Sequence, residues 1–267
     1  MRLQIDVDLH YRFTRPNTVF LALEAARTDG QKILTATLDI GDAAITRIHG
    51  DAHVGERIWA QIPGTEMRLT YTASLDITRP ANGLTTLAAA PLHDIPGQVA
   101  PYLRPSRYCQ SDKFVTFVAR RFQDHSGGAK VAAIRDWIEA NLTYVPGSSD
   151  ADTNVLETFA GRQGVCRDYA HLMCSMVRAA QIPARMVAVY SPDVVPPDFH
   201  AVTQVWLRDD DDDSGGGGGW HLVDATGMCS ADSMAIIAVG RDAYDIAFMD
   251  SQAPAELLSQ SVQVTRA

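Results

Sequence analysis

A glycine-bounded turn that leads into a helical stretch is the feature that most constrains this fold. Glycines occupy positions 161 and 164, and Cys166 follows Val165 directly after them. Apolar side chains then recur at steps of three and four, which predicts one buried helix face. They are Tyr169, Leu172, Met173, Met176, Val177 and Ala180. Because Pro183 cannot continue a helix, the helix is predicted to end beside Ile182. Cys166 is then predicted to lie at the N-cap of this helix or within one residue of it.

The position predicted for Cys166 suits a nucleophile. The first N–H groups of a helix lack intrahelical partners, and together with the helix dipole they stabilise a negative charge. A thiol placed there is stabilised as the thiolate, which is the nucleophilic form. A small buried cysteine in a turn would give the same local sequence, so residues elsewhere in the chain must decide between the two interpretations.

The composition is that of an ordinary globular protein. The chain has 267 residues, of which 46% are hydrophobic and 21% charged, and this length suffices for one large or two medium domains. A net charge of −9 without a basic cluster argues against nucleic acid and anionic membranes as partners. No apolar signal segment or membrane-length run is present, and four cysteines do not resemble a disulfide scaffold. We therefore expect a cytoplasmic protein.

The chain divides into two regions with different patterns of apolar and polar residues. Residues 3–13 alternate between apolar and polar, and further short extended stretches follow as far as residue 77, which predicts an antiparallel β domain. Residues 80–106 are rich in proline, alanine and glycine and are interpreted as the crossing between domains. Helical patterns and then a run of strands follow, which is the order typical of an α+β domain. We predict an α+β fold with a β-rich scaffold or recognition domain at 1–100 and a functional domain at 101–267.

A histidine and an aspartate are predicted to meet on neighbouring strands. His200 begins a predicted strand at 200–207, and Asp224 lies in the next one at 220–225. A hairpin between these strands can place the two side chains directly opposite each other on one face of the sheet. Histidine serves a cysteine nucleophile as base and proton shuttle, and a carboxylate orients the imidazole. Each residue alone is more simply a polar strand or turn residue, whereas the set Cys166, His200 and Asp224 favours catalysis.

Several blocks of the sequence resemble the bacterial transglutaminase-like superfamily, and they occur in the expected order. They are residues 164–172 (GVCRDYAHL), 182–185 (IPAR), 197–201 (PDFHA) and 220–226 (WHLVDAT). The resemblance covers residues 101–267 and implies a papain-like core of helices packed on an antiparallel sheet. The β-rich start of the chain looks like the N-terminal region that these proteins carry.

The resemblance also implies a function and a role for each residue. Cys166 would attack an amide carbonyl of a protein or peptide substrate, with His200 as base and Asp224 as its orienting partner. Water would resolve the acyl-thioester in a protease or amidase, and an amine would resolve it in a transamidase. No cofactor is implied. A backbone N–H near Cys166 would serve the oxyanion hole, and the second donor is open, with Gln163 and Tyr108 as weak candidates.

Metal binding is the less favoured interpretation of two other features. The insertion formed by Asp209–Asp213 and Gly215–Gly219 could bind calcium. Consecutive aspartates lack the alternating spacing of a calcium loop, however, which favours a solvated loop tip. Cys166, His171 and Cys174 do not share one helix face, so a zinc site there is disfavoured and no metal is predicted.

A non-catalytic binding module with the same fold is the second hypothesis. Such a module has no need of the reacting residues, so the presence of Cys166, His200 and Asp224 together favours the enzyme. The sequence leaves three questions open. They are whether water or an amine accepts the acyl group, which substrate is used, and what the oligomeric state is.

Overall fold

The computed structural model describes residues 1–81, 83–209 and 217–267. The strands are β1 (Arg2–Phe13), β2 (Asn17–Leu21), β3 (Gln31–Asp39), β4 (Ala44–His49), β5 (Glu56–Ile62), β6 (Glu66–Ile77), β7 (Leu87–Ala88), β8 (Thr143–Tyr144), β9 (Gln163–Gly164), β10 (Ala184–Tyr190), β11 (His200–Asp209), β12 (Gly219–Val223), β13 (Ala235–Gly240), β14 (Met249–Ser251) and β15 (Ala255–Arg266). The helices are α1 (Val115–Arg121), α2 (Gly127–Asn141), α3 (Val155–Gly161), α4 (Cys166–Ala179) and α5 (Ala243–Ile246). The predicted α+β class is confirmed.

Two antiparallel sheets form the β-rich region. Their strand orders are β15–β1–β6–β3 and β14–β2–β5–β4. Side chains alternate between buried and exposed along β1 and β6, as expected for strands with one face on a core and one in water. The buried residues of both sheets, among them Leu9, Leu69 and Ile58, belong to one apolar cluster. Hydrophobic burial between the sheets therefore holds this region together.

The strands β14 and β15 extend the β-rich region with residues far along the chain. The strand β15 pairs antiparallel with β1, with Val262 opposite Val7, and β14 pairs with β2. Sequence analysis places both strands in the domain 101–267. The division at residue 100 stays a prediction, and these pairings show that the two regions are joined at the end of the described chain as well as in its middle.

A third sheet carries the candidate functional residues. Its order is β12–β11–β10–β13, with β7 paired to the far end of β11. All seven residues of β10 are buried, which is typical of a strand covered on both faces. The helix α4 packs on β10 and β11. The crossing at 80–106 therefore contributes structure to this region, because β7 lies within it.

The helix α4 is more deeply buried than its apolar spacing predicts. Every residue from Asp168 to Arg178 is buried, not only those of one stripe. The reason is that α1, α2 and α3 pack on the side of α4 that faces away from the sheet. A helix enclosed in this way is held in a fixed position, and its first residue, Cys166, is held with it. Among the described residues, no helix combines the length and the apolar character needed to cross a membrane.

Candidate active site

The thiol of Cys166 lies at the first position of α4, at the edge of a cavity. The residue at the N-cap is Val165, so the sequence prediction for the helix start is confirmed. Cys166 is partly exposed and lines a cavity of about 630 Å³, which we call the cleft. Because the first N–H groups of α4 have no intrahelical partner, the positive end of the helix faces this sulfur.

A short parallel strand pair fixes the turn before Cys166. Tyr144 of β8 lies opposite Gly164 of β9, and the Val145 N–H donates to the Gly164 carbonyl at 3.0 Å. Glycine is required at position 164, because a Cβ there would lie 2.6 Å from the Cβ of Asp168. The backbone of the turn therefore approaches α4 more closely than any larger residue permits.

The buried carboxylate of Asp168 ties this turn to the helix. One of its oxygens accepts a 2.8 Å hydrogen bond from the Val165 N–H and a 2.5 Å bond from the Ser149 hydroxyl. An acidic residue at the third helical position satisfies an otherwise unpaired N–H and interacts favourably with the helix dipole. Asp168 lies within the block of residues 164–172, but no role is predicted for it from the sequence. Its spacing from Val165 is the signal that could have identified it.

The imidazole of His200 and the carboxylate of Asp224 form a buried pair. The His200 Nε2 lies 2.9 Å from the Asp224 Oδ2, and both side chains are 1% exposed. The predicted direct opposition of the two residues is wrong, because the register pairs Thr203 with Val223. The strand β12 ends at Val223, and Asp224 reaches His200 diagonally from the turn that follows.

Three further donors hold the Asp224 carboxylate in place. The Thr226 N–H and hydroxyl donate to its Oδ1 at 2.8 and 2.7 Å, and the Cys229 N–H donates to its Oδ2 at 3.0 Å. Burial raises the pKa of Asp224, but the hydrogen bonds from His200 and Thr226 outweigh it and lower the pKa below its ordinary value. Asp224 is therefore an ionised group with a fixed orientation.

The electrostatics of the site favour the protonated imidazole. Burial lowers the pKa of His200, but the hydrogen bond to Asp224 and the neighbouring Cys166 raise it to about 10. The Nδ1 of His200 has no hydrogen bond of standard geometry to any described residue. Cys166 and His200 line the same cleft. His200 is thus fixed by Asp224 through its Nε2, while its Nδ1 has no partner among the described residues.

A metal does not fit the residues beside this pair. The ligand atoms of His200, Asp224 and Cys229 lie within 4.8 Å of one another. His200 and Asp224 are engaged with each other through the atoms that would bind, and burial, with the nearby Asp224, raises the pKa of the Cys229 thiol to about 12. The aspartate- and glycine-rich insertion, for which calcium is the less favoured interpretation, falls largely on residues 210–216, which lie outside the described residues.

The two weak candidates for the second oxyanion donor are placed unfavourably. The Tyr108 hydroxyl donates to the Ala151 carbonyl at 2.7 Å, so its proton is already used. The Tyr108 ring stacks on His171, whose pKa burial lowers to about 3 and whose Nε2 accepts from the Ala243 N–H. Gln163 is exposed and does not line the cleft.

The walls of the cleft come from both regions of the molecule. Phe199 and Phe248 stack with their ring centroids 4.7 Å apart and give the wall an apolar part. Gln260 of β15 donates to the Asp198 carboxylate at 2.6 Å, two residues before His200. This contribution is not predicted from the sequence, since no local pattern reveals that β15 returns to the site.

Comparisons with known proteins agree with this architecture. Residues 116–225 match the transglutaminase-like superfamily. A proposed cysteine protease from Cytophaga hutchinsonii, whose crystal structure is known, is 32% identical in sequence to this chain. The two structures superpose with a TM-score of 0.89, and the match covers 99% of this chain and 90% of that one.

Two further proteins are similar over part of the chain. The periplasmic domain of TgpA from Pseudomonas aeruginosa, bound to ethylmercury, has a TM-score of 0.42 at 20% identity, covering 82% of this chain and 75% of that one. An uncharacterized protein of Mycobacterium leprae is 29% identical over 151 residues, which are 54% of this chain. The matched segment spans 52% of that relative, so the chain covers about half of the length of this curated protein.

Proposed function

Because this chain belongs to the transglutaminase-like superfamily, we propose that it is a thiol enzyme acting on amide bonds through an acyl-thioester. Cys166 is the nucleophile, His200 the proton shuttle and Asp224 the group that orients the imidazole. The observation that carries the proposal is the buried His200–Asp224 pair beside a cleft that the helix-terminal Cys166 also lines.

The reaction proceeds in two halves. The Cys166 sulfur attacks the amide carbonyl carbon, the S–C bond forms and the C=O electron pair moves onto the oxygen. As the tetrahedral species collapses, the C–N bond breaks and the His200 imidazolium gives its proton to the leaving amine. Water or a second amine then attacks the thioester while His200 takes its proton, and the Cys166 thiolate leaves.

The cleft supports a protein or peptide substrate. Its wall combines the aromatic pair Phe199–Phe248 with charged residues, among them Asp198 and Arg167, so it offers both apolar and polar contacts to an extended chain. We keep hydrolysis and transamidation as the two outcomes of one acyl-thioester. The four cysteines are all free, which supports the reducing cytoplasm as the proposed compartment.

The rate of iodoacetamide labelling at each cysteine, read by peptide mass spectrometry from about pH 5 to about pH 9, tests this proposal. We expect Cys166 to label faster than the other cysteines at neutral pH, and to lose this advantage in His200→Ala. Cys229 is the internal control, because it is also partly exposed and lies beside the same pair but has a raised thiol pKa.

Peptide turnover completes the test. Wild-type protein, with and without added primary amines, should release or exchange amide groups, and Cys166→Ser should not. If Cys166 labels no faster than Cys229 and only at alkaline pH, the enzyme is rejected in favour of a non-catalytic binding module.

A further inference from the structure

The charged side chains that line the cleft are not evenly compensated. This inference rests on the proposed function. Arg107 lies 3.5 Å from the Asp152 carboxylate, and Arg167 lies 3.8 Å from the Asp168 carboxylate, so each of these cations has an anionic neighbour. Asp198 lines the same cleft but forms no ion pair with any residue that the structure describes. The cleft therefore offers a negative charge that a bound cation could neutralise.

Two neutral donors fix the Asp198 carboxylate through one of its oxygens. The Phe199 N–H and the Gln260 side-chain amide donate to its Oδ1 at 2.7 and 2.6 Å. Its Oδ2 accepts no hydrogen bond within the described ranges, and Asp198 is exposed. Because neither donor is charged, both leave the negative charge of the group uncompensated. One oxygen thus anchors the carboxylate, and the other is open to a ligand.

An aromatic surface begins at the residue after Asp198. The rings of Phe199 and Phe248 stack with an angle of 6° between their planes, and both residues line the cleft. Aromatic rings attract a cation and cover the apolar stem of lysine or arginine, while a carboxylate accepts a charge-assisted hydrogen bond from its charged end. A carboxylate beside an aromatic wall therefore favours an ammonium or guanidinium group over a neutral or acidic one.

The position of Asp198 relates this group to the reacting carbonyl. Asp198 precedes His200 by two residues, and both line the cleft. Two residues of chain span at most about 7 Å between their Cα atoms. The carboxylate is therefore close to the histidine that serves the attacked bond. The long, flexible stem of a lysine or arginine at that bond is suited to such a separation.

We propose that Asp198 is a specificity-determining residue that selects acyl donors with a cationic side chain on the residue that supplies the reacting carbonyl. The ammonium group of a lysine, or the guanidinium group of an arginine, donates to the Asp198 Oδ2. The apolar stem lies along Phe199 and Phe248. Asp198 binds the substrate and takes no part in proton transfer, which stays with His200.

Two activated esters that differ in one charge test this proposal. Nα-acetyl-lysine p-nitrophenyl ester carries the ammonium group, and the norleucine ester is its neutral counterpart. Nitrophenolate release and the acyl mass on Cys166 give kcat/KM for each ester, normalised by its reaction with free cysteine. At low ionic strength we expect wild type to prefer the lysine ester by about tenfold, as one charge-assisted hydrogen bond allows. The preference should shrink at about 1 M salt, because salt screens charges.

An isosteric variant removes the charge and keeps the anchor. In Asp198→Asn the side-chain oxygen can still accept from the Phe199 N–H and from Gln260, while an amide N–H₂ replaces Oδ2. The preference should fall to about one in this variant. The matched control is Asp124→Asn, which makes the same change in net charge at an exposed residue outside the cleft and should keep the preference. Thermal unfolding shows whether both variants are folded at the assay temperature.

The outcomes separate the selectivity from the proposed function. Equal acylation of wild type by the two esters overturns the selectivity and leaves the enzyme intact. A lysine preference that persists in Asp198→Asn but is lost in Asp250→Asn also overturns it, since the cation would then bind another carboxylate of the cleft. No amine is added, so binding of an acyl acceptor does not enter the result. If neither ester acylates Cys166 and it labels no faster than Cys229, the proposed function fails, and the selectivity fails with it.

Discussion

The β-rich region and the region around Cys166 differ in what they bury. Before residue 100, Gln31 is the one buried polar side chain among the described residues, apart from tyrosines such as Tyr71. After residue 100 the buried polar and charged side chains are Ser111, Thr158, Asp168, His171, Ser175, Arg178, Arg185, Ser191, His200, Thr203, Gln204, Asp224, Ser233 and Asp242. Burying a polar group costs free energy unless it is hydrogen-bonded. The β-rich region therefore mainly stabilises the fold. The region around Cys166 buries polar side chains at a cost in free energy and holds them in fixed positions.

The exception in the β-rich region supports this comparison. Gln31 accepts a 2.7 Å hydrogen bond from the Ile236 N–H and donates to the Ile236 carbonyl at 2.9 Å. It thus pairs with the backbone of β13, the outer strand of the sheet that carries His200. The buried amide of Gln31 therefore lies at the boundary with the other region and is hydrogen-bonded across it.

The largest effect should come from the carboxylate of the buried pair. In Asp224→Asn, the acceptor for Thr226 can remain, but an amide N–H₂ would replace the oxygen that faces His200 and the Cys229 N–H. We expect a loss of about 10⁴-fold in kcat for amide substrates, as seen when the orienting carboxylate of a triad becomes an amide. Steady-state kinetics measures it, and circular dichroism shows whether the fold is retained. A loss under tenfold would contradict an orienting role.

An apolar truncation in the β-rich region should have the opposite profile. Leu69 of β6 is fully buried, so Leu69→Ala should lower the free energy of unfolding by about 2–5 kcal/mol. The matched control is Leu34→Ala on β3, where the side chain is 39% exposed and the loss should be under about 1 kcal/mol. Denaturant unfolding measures both. At temperatures where Leu69→Ala is folded, its kcat should equal that of wild type. A large loss of kcat would contradict the conclusion that the β-rich region stabilises the fold while the other region positions the reacting groups.

The smallest effect concerns the alkaline limit of activity. His200 must be protonated to give a proton to a leaving amine, and its pKa is raised to about 10, so this acid is present below about pH 10 and lost above it. We expect amide turnover to fall about tenfold per pH unit beyond that value. Acylation by p-nitrophenyl acetate, whose leaving group needs no proton, should not fall in step. Parallel decline of both reactions would point to unfolding in place of His200 titration.

Local patterns predict much of this molecule correctly. The alternation at residues 3–13 gives β1, and the glycine turn followed by apolar spacing gives the start of α4. Both are short-range consequences of strand and helix periodicity. The resemblance to the transglutaminase-like superfamily adds the fold class, which the structure confirms.

Long-range features are the ones that periodicity does not supply. The register of β11 and β12 depends on the residues between them, so direct opposition of His200 and Asp224 is a wrong prediction although their contact is present. The complete burial of α4 depends on three helices packed across its outer side. Tyr144 and Gly164 lie far apart in the chain, and the pairing of β8 with β9 brings them opposite each other. The roles of Cys166, His200 and Asp224 stay predictions.

The pairing of β15 with β1 also sets an order of events during synthesis. Strand β1 leaves the ribosome long before β15, so one of its edges stays open until residues 255–266 emerge. Gln260 reaches Asp198 only at that moment. A nascent chain therefore carries Cys166 for some time before Gln260 completes the lining of the cleft. Completion of the cleft is coupled to the arrival of β15, although Cys166 lies far earlier in the chain.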